Sequence, residues 1–387
     1  MKKQSPYLVL GIIMLGAVMR VPITAIPSIL TDIAAGLGVS VSDLGILTSI
    51  PLLMFALCSS IAPKLAAKFG MEKLMAMVLI VMFVGSAMRI FNVSTLYLGT
   101  MLVGAAIAFI NVLLPSLVAA NFPHKIGLFT TIYVTMMGVT STLASMVAVP
   151  IVTATSWQTF LLIISALVGL ALFIWLPNVA SNHRFERKGN NQGTSLWKNR
   201  GAIIFLIFGG LQSLLFYTEM TWLPTISQTV GLSKAEAGLL AGIFNIVAIP
   251  MSMVLPSIVS RLPREKRAYL MIGLSVLTLL GLGLMAVVPV QFGWWLLIHI
   301  LLGVSVSALF PYMMLSFSLK TSNSQATARL SGMVQTGGYL IAAIGPFVLG
   351  YSYQLFGNWL PFIIALIVVT ILMMWTIVLI EKEDIIL

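Results

Sequence analysis

Apolar residues run along this chain in blocks of roughly 20, the length a helix needs to cross a bilayer, and short polar stretches separate the blocks. On that spacing the first half holds six spans, at 7–30, 44–66, 74–91, 96–120, 128–153 and 160–176. The second half holds six more, at 202–226, 237–260, 269–288, 292–318, 330–351 and 360–380. The first block is too long for the core of a signal peptide, and no small-x-small cleavage site ends it, so it reads as span 1. The longest polar stretch, with Arg184, Glu186, Arg187 and Lys188, falls between the halves. The pattern predicts an all-α membrane protein of 12 transmembrane helices: a six-helix bundle over 1–176, a cytoplasmic linker over 177–201 and a second six-helix bundle over 202–387.

Composition sharpens this. Hydrophobic residues make up 59% of the 387 and charged residues 8%, against about 45–50% and about 25% in a soluble domain. So few charges cannot cover a water-facing surface, which excludes a cytosolic enzyme, a disordered chain and a secreted disulfide scaffold. The net charge of +11 could point to nucleic acid, but its distribution points to the membrane. An even number of spans puts both termini on one side. With that side in the cytoplasm, 18 of the 21 Lys and Arg face it, Lys234 lies in an outer loop, and Arg20 and Arg89 lie in apolar runs. Such a bias sets orientation in multi-span proteins, so the expected setting is the cell membrane with both termini inside, and no nucleic-acid partner is implied. The lone Cys58 can form no internal disulfide and reads as a packing residue.

The halves repeat each other. Pro63-Lys-Leu-Ala-Ala-Lys-Phe-Gly-Met-Glu-Lys73 after span 2 matches Pro256-Ser-Ile-Val-Ser-Arg-Leu-Pro-Arg-Glu-Lys266 after span 8, at an offset of 193 residues. Gly38-Val-Ser-Val-Ser-Asp-Leu-Gly before span 2 matches Gly231-Leu-Ser-Lys-Ala-Glu-Ala-Gly before span 8, in the same register. Two parallel six-span halves with a basic middle loop are the layout of the major facilitator superfamily.

Polarity inside the spans has a period of three. Spans 3, 6, 9 and 12 carry little beyond Ser, Thr and Gly and are expected to face lipid. The demanding residues fall elsewhere: Arg20, Asn111, Gln212, Glu219, Asn245 and Gln335. That is the signature of a cavity built from spans 1, 4, 7 and 10 with help from 2, 5, 8 and 11. Arg20 lies about 20 Å along span 1, where a charge costs at least ~2.5–3.5 kcal/mol, so it should meet water, a partner or a substrate. Pro22 and Pro27 predict a bend there with carbonyls left free. Arg20 reads either as an anion or dipole clamp, using its guanidinium fork, or as an ion pair with Glu219. Glu219 in turn reads as a proton carrier, as a gate ion pair, or as a residue near the outer boundary; Gln212 shares its face. Trp222 suits an interfacial anchor or a cavity wall equally. Asn111 offers solute contact or an interhelical hydrogen bond. Phe310, Gln335 and Tyr339 complete the candidate substrate-binding set, and Tyr217 is offset from Glu219. The stripe Thr131, Thr135, Gly138, Thr142 and Ser145 reads as a packing seam. Arg89, at the end of a plain span, reads as a snorkelling interfacial residue. His299 has no second His or Cys at metal spacing and reads as an interior hydrogen-bonding residue.

Several stretches resemble the cyanate permease and 2-nitroimidazole transporter (CynX/NimT) family of that superfamily. They are Met19-Arg-Val-Pro22 with Ile26-Pro-Ser28, Asn111-Val-Leu-Leu-Pro-Ser-Leu117 with Phe122-Pro123, Trp222-Leu-Pro224, and Ser331-Gly-Met-Val-Gln-Thr-Gly-Gly-Tyr-Leu340 with Gly345-Pro346. In the superfamily's loop 2–3 pattern Gly70 is kept, while Ala67 takes the Asp place and Lys68 the Arg place. The resemblance implies transport of small nitrogen-containing solutes, anionic or polar and neutral. No P-loop, nucleophile elbow, paired carboxylates or dinucleotide fingerprint is present, which argues against an enzyme or ATP-driven pump and implies no cofactor. The expected function is secondary transport of a small polar or anionic nitrogen-containing solute by alternating access, as a monomer, with protons as the candidate coupling ion. The competing expectation is proton-coupled export of small heteroaromatic drugs such as nitroimidazoles.

Overall fold

The computed structural model describes residues 7–26, 29–39, 44, 47, 50–182 and 196–387. Pro27, Ser28 and most of the charged linker between the halves lie outside the described residues. Helices are the regular structure throughout, with no strand among the described residues. They divide into two compact units, Met1–Gln192 with Asn323–Gly332, and Gly193–Ser322 with Met333–Leu387.

In the first unit the helices are α1 (Leu8–Val18), α2 (Val21–Thr24), α3 (Leu30–Leu37), α4 (Ile50–Cys58), α5 (Ala62–Phe69), α6 (Met71–Ala87), α7 (Val93–Asn121), α8 (Ile126–Ala154) and α9 (Trp157–Trp175). Span 1 is thus broken into α1 and α2, with α3 following beyond residues 27–28. Proline chemistry explains the break. Pro22 has no N–H to offer the carbonyl one turn earlier. The Met19 N–H turns to the Gly16 carbonyl, and the Ile26 N–H turns to the Ile23 carbonyl. Span 2 is the pair α4 and α5, bent by 56°.

The second unit holds α10 (Arg200–Thr229), α11 (Lys234–Ile246), α12 (Ala248–Arg261), α13 (Arg264–Val287), α14 (Phe292–Leu319), α15 (Ser324–Phe356) from Met333 onward, and α16 (Leu360–Lys382). Helix starts follow local chemistry. Asn92 and Thr95 form a reciprocal cap on α7, Ser233 and Glu236 form one on α11, and Ser156 and Asn199 cap α9 and α10, each filling backbone donors that a helix start leaves open. Gly38 and Gly231, equivalent in the internal repeat, both have positive φ, at 67° and 120°, a conformation that glycine adopts without steric cost.

Each unit, taken by itself, packs its helices in the same order. In the first, α6 lies against α7 and α9, α4 against α7, and α1 against α8 and α9. In the second, α13 lies against α14 and α16, α11 and α12 against α14, and α10 against α16. The most enclosed helices are α7, α10 and α14, spans 4, 7 and 10, with 78%, 67% and 67% of their apolar stretch buried. Two expectations change. Spans 3 and 6 are not lipid-facing all round, because α6 is half buried and carries internal polar contacts to α9. The most open helices are instead α8 and the α11–α12 pair, each only 22% buried.

Candidate functional site

In the first unit, Arg20 is the residue at which span 1 breaks. It caps α2, is half-buried, and its carbonyl accepts from the Ile23 and Thr24 N–H groups at 2.9 and 3.0 Å. Thr24 Oγ1 lies 2.6 Å from Ser141 Oγ, and Ser145 Oγ donates to the Thr24 carbonyl at 3.5 Å. Thr140 Oγ1 donates to the Ala17 carbonyl at 2.8 Å. The seam between span 1 and α8 therefore includes Ser145 of the expected stripe, with Thr140 and Ser141 beside it. Small polar side chains suit it, since they reach carbonyls that the break leaves exposed. Asn111 sits on α7, 5% exposed, with no hydrogen-bond partner for its amide among the described residues. A buried amide with open donors and an open acceptor is available to a polar solute.

Arg89 departs most from expectation. It is fully buried, not snorkelling. Its Nη1 donates to the Pro22 carbonyl at 2.7 Å, and its Nη2 to Ser86 Oγ at 3.3 Å. Ser165 Oγ, on α9, donates to Ser86 Oγ at 3.0 Å. The signal was present in the sequence: two prolines in span 1 must leave carbonyls without helical donors, and a second intramembrane arginine could fill one.

In the second unit, Gln212, Gln335 and Tyr339 come together. A narrow crevice between α10, α14 and α15 is lined by Gly209, Ser213, Met313, Val334, Gln335, Gly338 and Tyr339. Gln212 Nε2, beside it, donates to Ser213 Oγ at 2.6 Å and to the Gly209 carbonyl at 3.3 Å. Ser213 and Met313 escaped sequence reading because neither type stands out in an apolar helix. Tyr217, there a weaker candidate, has its ring centroid 6.4 Å from that of Tyr339. The close approach of α10 and α15 comes from glycines: a Cβ on Gly338 would lie 3.1 Å from the Gly210 nitrogen, and one on Gly337 2.5 Å from Leu206 Cδ1.

Glu219 is on the same helix, fully buried, and neither carboxylate oxygen has a hydrogen-bond partner among the described residues. Trp222 is farther along α10, where its Nε1 donates to the Pro346 carbonyl at 2.9 Å and its ring lies 5.9 Å from that of Trp359. It is therefore engaged away from the crevice. Phe310 is half-buried on α14, and Asn245 is exposed, with its amide turned to the Ala241 carbonyl. His299 is buried and bonds the Trp295 carbonyl through Nδ1 at 2.8 Å. Arg20 and Asn111 belong to one unit, and Gln212, Glu219, Trp222, Phe310, Gln335 and Tyr339 to the other.

Comparison with known proteins supplies the setting for this geometry. The family model described as Major Facilitator Superfamily matches residues 8–346. The chain is 34% identical to an uncharacterized transporter, YycB, of Bacillus subtilis (strain 168), over 96% of this chain and 92% of that protein. It is 31% identical to the 2-nitroimidazole transporter of Escherichia coli (strain K12), over 96% and 94%. It is 24% identical to the cyanate transport protein CynX of the same organism, over 91% of each. Among solved structures, the transporter FucP in its outward conformation aligns with a TM-score of 0.74 at 12% identity, over 97% of this chain and 98% of that one. The proton:xylose symporter XylE bound to 6-bromo-6-deoxy-D-glucose aligns at 0.75 with 13% identity, over 97% and 94%.

Proposed function

The chain belongs to the Major Facilitator Superfamily, and from that premise we propose that this secondary transporter moves a small polar or anionic nitrogen-containing solute by alternating access. The observation that carries the proposal is the break of span 1 at Arg20. A guanidinium half-buried where two short helices meet, in an otherwise apolar span, supports a role in holding a polar or anionic solute. Asn111, with its open amide, is the second polar contact of that unit. In the other unit, Gln335 and Tyr339 line the crevice as polar contacts for a solute. The relatives named for 2-nitroimidazole and cyanate support a small, nitrogen-containing solute. We place the protein in the cell membrane with both termini in the cytoplasm, as a monomer.

The test is flux into proteoliposomes across a panel of cyanate, nitrate, small carboxylates and 2-nitroimidazole. Arg20→Ala is expected to abolish uptake of the transported member while leaving the purified protein folded. Uptake at the wild-type rate would remove Arg20 from the site.

A second reading is favoured by Glu219. A buried carboxyl with neither oxygen partnered among the described residues suits a proton-coupled exporter of small heteroaromatics. Under that reading, flux of 2-nitroimidazole depends on an imposed pH gradient and Glu219→Gln uncouples it. Flux indifferent to the gradient rejects it.

A further inference from the structure

We infer that Arg89 is a positioning residue for the substrate site: it sets where span 1 breaks, and so where Arg20 stands, by holding the carbonyl that the break sets free. The inference rests on the reading of Arg20 as the solute clamp. In a continuous helix the Pro22 carbonyl would accept the Ile26 N–H. Here that N–H bonds the Ile23 carbonyl at 3.3 Å instead, and residue 27 is a proline with no N–H of its own to offer Ile23. The Pro22 carbonyl is thereby left without a backbone donor in a water-poor interior, where an unfilled carbonyl is costly. Arg89 Nη1 fills it at 2.7 Å.

The support for Arg89 is built from three other elements. It lies in the 3₁₀ turn Met88–Ile90 that ends α6, where the negative end of the helix dipole favours a cation. Its Nη2 is held by Ser86, and Ser86 by Ser165 of α9. Its stem packs against α7 at Gly99, where a Cβ would lie 2.6 Å from Arg89 Cγ. Arg89 is fully buried, and its Nη1 and Nη2 are given to Pro22 and Ser86, so it acts on the site through span 1. Only Val21 separates Pro22 from Arg20, and the Arg20 carbonyl anchors the same short turn of helix through Ile23 and Thr24. A donor reaching from α6 to that turn fixes the helix that presents the clamp.

The test reads the position of α2 directly and needs no known solute. In full-length protein carrying Cys58→Ser, the pair Thr24→Cys with Ser141→Cys replaces two hydroxyls 2.6 Å apart, within disulfide reach after a small adjustment. The pair Ser86→Cys with Ser165→Cys replaces hydroxyls 3.0 Å apart and reports α6 against α9 in the same unit. Oxidation with copper phenanthroline is followed with and without Arg89→Met and Arg89→Lys. The expected result is at least a tenfold slower 24–141 crosslink in Arg89→Met, recovery in Arg89→Lys, which keeps a donor for the carbonyl, and an unchanged 86–165 crosslink. An unchanged 24–141 rate, or equal loss of both crosslinks, overturns the inference, the latter by making Arg89 a general packing residue. Wild-type flux in Arg20→Ala would instead remove the clamp while leaving the crosslink result standing, so the two failures are distinct.

Discussion

Burying a charged side chain beside hydrocarbon is costly unless it is paired or hydrogen-bonded, and two buried cations of this chain find partners in different ways. Arg89 uses a freed carbonyl and a serine. Lys320 uses acid: its Nζ lies 2.9 Å from Glu381 Oε2 and donates to the Glu383 carbonyl at 2.7 Å, while Tyr312 donates to Glu381 Oε1 at 2.6 Å. Both members of that ion pair are almost wholly buried. Removing one partner of such a pair strands the other and typically costs about 3–5 kcal/mol. Lys320→Met is therefore expected to lower the unfolding temperature in detergent sharply, and Lys320→Met combined with Glu381→Leu to recover part of the loss. Equal melting of Lys320→Met and wild type would mean the pair is not under strain from burial. In the sequence Lys320 is one of 18 orienting cations, and nothing local separates it from the solvated ones. Only the chain returning at 381–387 gives it a partner.

At the scale of elements, prolines and glycines decide where helices break and where they touch. Span 1 breaks because Pro22 withholds a donor, and α10 meets α15 closely because Gly209, Gly210, Gly337 and Gly338 carry no Cβ. The contact at Gly338 is to backbone, which cannot rotate away. Gly338→Val is thus expected to cost about 1–3 kcal/mol by overpacking and to impair transport. Gly273→Val, where nothing lies within 4 Å of the new Cβ, should leave both melting and flux near wild type. Matched effects at the two glycines would show that the α10–α15 approach is not limiting. Helix existence was legible in the apolar blocks. The break between α1 and α2 was legible only as a bend, because hydropathy registers length and not which carbonyls lose donors.

Across the whole molecule, the repeat read at an offset of 193 residues reappears as the same order of helix neighbours in each unit and as paired positive-φ glycines at 38 and 231. The charge bias adds orientation. With Cys58→Ser as background, Lys234→Cys should react with a membrane-impermeant maleimide on intact cells, and Lys266→Cys only after permeabilisation. The reverse pattern would invert the topology.

Fold class and span number followed from the chain alone, because insertion into a bilayer is governed by the length and hydropathy of local segments. Tertiary structure alone decided what those residues do for one another. It sent Arg89 to the Pro22 carbonyl rather than to the interface, paired Lys320 with Glu381, drew Gln335 and Tyr339 to one crevice and turned Trp222 toward Pro346. Such choices depend on which distant groups are brought within 3 Å, and a one-dimensional pattern carries no such distances.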